Sequence, residues 1–135
     1  MAKKFIDVPW RGDRDIKTFA QELVAQAIDT DKIKQQMEEA LDIVEETTMR
    51  YVPVDTGATK ESFYREVEVT PNAVIGRAGY NKDGRLDYVG VIHEDPYGFS
   101  FVNSRTKGGQ PEARRYFLNN AFTENQDKII DKFKG

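Results

Sequence analysis

The chain has 135 residues, 39% of them hydrophobic and 32% charged, which suits one domain with a modest core. Its 20 basic and 23 acidic side chains leave a net charge of -3, which argues against a general nucleic-acid binder while leaving a local basic patch open. The absence of cysteine excludes disulfides, thiolate catalysis and cysteine-based zinc sites.

The opening Met1-Ala2-Lys3-Lys4-Phe5-Ile6 has no long apolar run behind its lysines, so it does not read as a signal peptide. No stretch approaches the roughly 20 apolar residues that span a bilayer. The expectation is a protein made and kept in a cytoplasm. Residues 1–14 read as an extended arm or short strand (Lys4–Val8) that ends in a turn at Arg11-Gly12-Asp13. Residues 15–135 read as a single domain.

From Asp15 to about Ile28, Ile16, Phe19, Ala20, Leu23, Val24 and Ala27 recur at three- and four-residue spacing, which predicts a first helix. Asp29-Thr30-Asp31 interrupts it, with Thr30 or Asp31 as the next cap. Ile33, Met37, Ala40, Leu41, Val44 and Thr48 then predict a second helix over Lys32–Met49. Its other side carries Glu38, Glu39, Asp42, Glu45 and Glu46, an acidic face that is either solvated or docked on a basic neighbour. Pro53 pushes Val52 out of helical geometry, so this helix ends near Arg50 or Tyr51. Asp55-Thr56-Gly57 is a turn in which Gly57 can take positive φ and Asp55 or Thr56 can bond the backbone. Ala58–Phe63 is a helical turn or a lead into a strand.

The second half alternates. Phe63, Arg65, Val67 and Val69 oppose Tyr64, Glu66 and Glu68 along one strand. Pro71-Asn72-Ala73 turns the chain into a returning strand that ends at Tyr80, and Asn81-Lys82-Asp83-Gly84 is a further turn. Leu86–His93 is a strand or a short helix, and Glu94–Gln110 a long loop. Pro111 opens a final helix with Tyr116, Phe117, Ala121, Phe122, Ile129, Ile130 and Phe133 on its apolar face. The fold class expected is α+β: a small antiparallel sheet packed with two N-terminal helices and one C-terminal helix.

Chemistry has few footholds. His93-Glu94-Asp95 is the densest polar cluster and offers at most weak divalent-ion binding or a small hydrolase site. There is no Gly-x-Ser-x-Gly elbow and no phosphate-cradling motif. A basic run, Arg105, Lys107, Arg114 and Arg115, suits either nucleic-acid phosphates or an acidic neighbour such as the 38–46 face of another copy. Tyr97 and Phe99 lie in the long loop, where aromatics commonly anchor interfaces.

Pro53-Val54-Asp55-Thr56-Gly57 with Ser62 five residues on, then a strand pair, then Tyr88 before His93-Glu94, then Gln110-Pro111 leading to Tyr116-Phe117 and Ala121, form an ordered set. Over about residues 31–125 this set resembles the small neck proteins of long-tailed bacteriophages, known as tail-completion, head–tail joining or minor capsid proteins. The chain departs from that pattern at Thr59, where the family usually has Leu or an Arg-like residue, and at Asp95-Pro96 in place of Gly-Thr. The resemblance implies a non-enzymatic virion protein without cofactor or metal, which assembles in the host cytoplasm into a ring of six or twelve. It implies contacts with the connector and with tail-terminator or tail-tube proteins, DNA only as passing cargo, and no membrane. The corner Pro53, Asp55, Thr56 and Gly57 would set the angle between helix and sheet. The acidic face and the basic and aromatic residues named above would form subunit or partner interfaces.

Overall fold

The computed structural model describes residues 6–12, 19–26, 29–53, 57–86, 89, 93 and 110–134. One antiparallel sheet runs through them. Strand β3 (Phe19–Gln26) pairs on one side with the short strands β1 (Ile6–Asp7) and β2 (Trp10–Gly12). On its other side it pairs with β5 (Ala73–Tyr80), and β4 (Phe63–Val69) closes the opposite edge. A 22-residue helix, α1 (Thr30–Tyr51), lies across this sheet. A single helical turn, α2 (Ala58–Glu61), and two short C-terminal helices, α3 (Phe117–Thr123) and α4 (Gln126–Lys132), complete the described elements.

The α+β class with an antiparallel sheet packed on helices holds, but the helix count does not. The predicted first helix, residues 15–28, contains strand β3. A strand imitates helical spacing here because both of its faces carry apolar side chains. Phe19 and Leu23 turn to the helices, while Ala20 and Val24 turn to the opposite face, giving apolar positions at 19, 20, 23 and 24. The polar residues between them are buried with partners, Gln21 against Asn119 and Glu22 on Arg77 at 2.8 Å. Arg11 and Gly12, expected in a turn, belong to β2, where they pair with Ala20 and Phe19. Ile16 and Ala27 lie outside the described residues.

Helix α1 follows its apolar repeat, burying Ile33, Met37, Ala40, Leu41, Val44 and Thr48. Its cap is Asp29 rather than Thr30 or Asp31: the Asp29 carboxylate accepts from the Lys32 amide at 3.2 Å. The helix ends at Tyr51, with Val52 extended (φ -66, ψ 129) as Pro53 requires. Its two buried threonines are both paired. The Thr48 and Tyr80 hydroxyls lie 2.9 Å apart, and Thr47 accepts from the Asn125 amide group at 2.8 Å.

The predicted C-terminal helix is likewise corrected. Pro111 sits in a turn, α3 starts only at Phe117, and the helix breaks again at Glu124-Asn125. Residues 110–116 cannot be helical because their backbone donors are used elsewhere: Arg114 N–H binds Tyr51 O at 2.9 Å and Tyr116 N–H binds His93 O. In the Leu86–His93 segment, the described Val89 and His93 have helical backbone, so His93 does not end a strand.

Glycine sets two separations. A Cβ on Gly76 would meet Met37 Sδ at 2.5 Å, so α1 rests directly on the β5 backbone. A Cβ on Gly79 would meet the Phe19 carbonyl oxygen at 2.6 Å and the Tyr64 hydroxyl at 2.7 Å, because the Tyr64 ring lies across its cross-strand partner Gly79. A methionine side chain can turn aside and a strand backbone cannot. Gly79→Ala is therefore expected to cost about 1–3 kcal/mol, and Gly76→Ala less, in urea unfolding. A harmless Gly79→Ala would contradict the packing.

Candidate functional site

The last carbonyls of α1 have no donors within the helix. The chain supplies them from 60 residues away. Gln110 Nε2 donates to Met49 O at 2.9 Å and to Val52 O at 3.1 Å, and the Arg114 amide donates to Tyr51 O. Side chains repeat the link. The Arg114 guanidinium lies 4.0 Å from the Tyr51 ring centroid, and the Tyr51 hydroxyl donates to Glu124 at 2.8 Å. Burial, reinforced by that hydrogen bond to a carboxylate, raises the Tyr51 pKa. Arg50 reaches Glu112 at 3.4 Å and adds a positive charge at the negative end of the helix dipole.

Beside this junction lies an aromatic cluster centred on His93. Its ring is 4.3 Å from Phe19, 4.9 Å from Phe117, 5.0 Å from Trp10 and 5.6 Å from Tyr116, centroid to centroid. His93 is only 2% exposed. Its Nε2 accepts the Asn119 amide at 3.4 Å, so the neutral ring carries its proton on Nδ1. Burial pushes its pKa down to about 3. Such a histidine is a packing group with its acceptor nitrogen occupied, not an accessible base. Its proposed partners Glu94 and Asp95 lie outside the described residues. Among the described residues, no group of three or more His, Cys, Asp or Glu could hold a metal ion, and no helix is long and apolar enough to cross a membrane.

The predicted acidic face of α1 is divided. Arg65, on the helix-facing side of β4, reaches Asp42 at 2.7 Å, Glu38 at 3.0 Å and Glu45 at 3.3 Å. Burial alone would lower the Arg65 pKa, but hydrogen bonds to Asp42 and Glu38 outweigh it and raise it. These three carboxylates therefore fasten α1 to the sheet of the same chain. Glu39 and Glu46 remain exposed. Of the basic residues, Arg114 is committed to Tyr51 and Glu124, while Arg115 is exposed and lies over Tyr116. Tyr97, Phe99, Arg105 and Lys107 lie outside the described residues. Trp10 was not singled out by its sequence, although it is the only tryptophan of the chain. Its place over His93 depends on β2 pairing with β3.

At the corner, Pro53 is buried and Gly57 has φ 89; Asp55 and Thr56 lie outside the described residues. Gly57 then leads into α2, where Ser62 Oγ donates to Thr59 O at 2.6 Å.

A hypothetical Gly57 side chain would have open space, with Glu61 Oε1 nearest at 3.9 Å, so the demand is purely conformational. Gly57→Val is expected to lose about 1–2 kcal/mol in thermal or urea unfolding, and Gly57→Asn, which tolerates this geometry, clearly less; equal losses would refute the dihedral argument. For His93 the folded pKa lies below the usual 6.5, so the unfolded chain binds the proton first. Stability from this group is complete above pH 6.5 and lost as pH falls toward 3, with a slope of up to about 1.4 kcal/mol per pH unit. Urea midpoints of His93→Gln, whatever their absolute value, should lack that component of the slope. No protein-family model, curated protein or solved structure matches the chain.

Proposed function

We propose that this chain is a structural protein of a bacteriophage neck, which forms a ring between the connector of the DNA-filled head and the tail. In this reading it catalyses no reaction, and DNA passes it only as cargo. One observation carries the reading. Described residues of the blocks that resemble the neck proteins are far apart in the chain, yet bond to one another or to the end of α1. Pro53 ends the helix, Gln110 covers its last carbonyls, and His93 O takes the Tyr116 amide at the start of α3.

The corner supports it too. Thr59, which departs from the Leu or Arg-like residue usual in the pattern, is buried, and Ser62 at the serine position closes α2 through Thr59 O.

Deleting the gene from the phage or prophage that carries it, and imaging the lysate by negative-stain electron microscopy, tests the reading. The expected result is DNA-filled heads beside separate, finished tails. Heads joined to aberrant tails would move the role to tail termination within the same class. Normal infectious particles would sink the proposal.

A further inference from the structure

Among the described residues, two of the three large apolar side chains that are exposed flank the same buried ring. Trp10 (43% exposed) stacks on His93 with an interplanar angle of 15°, and Tyr116 (39% exposed) meets it edge-on. Tyr116 is held there against its backbone preference. Its φ is 54, a left-handed conformation that bulky residues rarely adopt. The amide bond to His93 O on one side and the carbonyl bond to Asn120 N–H on the other keep it in place. Strain of this kind persists where surrounding structure enforces it, and it is enriched at functional positions. Arg115 lies 5.4 Å from the Tyr116 ring centroid and has no carboxylate partner among the described residues. Trp, Tyr and Arg are the residue types that dominate interface energies.

The matching surface is on α1. Arg65 holds Glu38, Asp42 and Glu45 along one edge of the acidic face. Glu39 and Glu46, seven residues apart and therefore two turns along one side, are exposed and have no cation beside them among the described residues. Between them Ile43 is only partly buried, an apolar seat for an aromatic ring.

The geometry points to a head-to-tail contact between copies of this chain: the Trp10, Tyr116 and Arg115 patch of one copy sits on the Glu39–Ile43–Glu46 side of α1 in the next. The two surfaces differ, so the contact is heterologous and closes into a ring where the rotation permits. This deepens the neck reading and takes its biological setting from it, but the contact belongs to the isolated chain and is tested there.

The test is sedimentation velocity of the purified full chain at high concentration and low salt. Wild type is expected to associate reversibly, and salt to weaken the association. Arg115→Glu alone, and the double variant Glu39→Lys with Glu46→Lys alone, should each associate at least about tenfold more weakly, since like charges then face each other. An equal mixture of the two variants should recover, because each surface again meets its opposite sign. Circular dichroism checks that the exposed substitutions leave the fold intact. A wild type that stays monomeric, a variant that associates like wild type, or a mixture that fails to recover would each overturn the contact. None of these results bears on whether deletion of the gene separates heads from tails, so the two readings fail independently.

Discussion

The end of a helix is a debt of unpaired carbonyls, and here Pro53 fixes where that end must fall. The described residues from Gln110 to Glu124 pack around it. Gln110 Nε2 and the Arg114 amide occupy the Met49, Val52 and Tyr51 carbonyls, and the Arg114 amide is thereby diverted from a helix starting at Pro111. The chain can therefore turn helical only at Phe117, which places Phe117, Leu118, Ala121 and Phe122 in the core beside α1. The same path brings Tyr116 to His93. One constraint at residue 53 thus positions both the junction and the aromatic cluster.

The sheet answers a different requirement. Gly76 lets α1 lie close on β5, and the buried hydroxyl pair of Thr48 and Tyr80 fixes the register of helix over sheet. Arg65 adds an ionic clamp at the β4 side. Its partners are substantially exposed, so each pair contributes little; three carboxylates on one guanidinium serve more to orient the helix than to stabilise it. The opposite face of the sheet carries its own line of charge, with Arg77 between Glu22 at 2.8 Å and Glu68 at 2.9 Å.

Much of this was legible in the sequence, but unevenly. The α1 stripe and the β4–β5 alternation are local patterns with one dominant face each, and both were readable. Strand β3 was not, because the meaning of Gln21 and Glu22 lies with Asn119 and Arg77, 98 and 55 residues later. Without those partners, two polar residues in mid-segment look like the wet side of a helix. The acidic face of α1 was readable as a face, but not as a divided one, since Arg65 gives no local sign of crossing to it. His93 was visible as an unusual residue at the end of a strand or short helix, but its surroundings were not, because the rings that enclose it come from positions 10, 19, 116 and 117.

The burial of His93 also governs how the molecule meets changing acidity. Histidine is the side chain whose ordinary pKa lies between about 5 and 8, and this chain has one histidine and no cysteine. With His93 packed neutral, its imidazole takes up no proton across that interval. The aromatic cluster around it then keeps one charge state across that interval, while the exposed ion pairs of Arg65 still respond to ionic strength. Contacts made across this cluster would hold through a shift in acidity, and contacts made through exposed charges would loosen in salt.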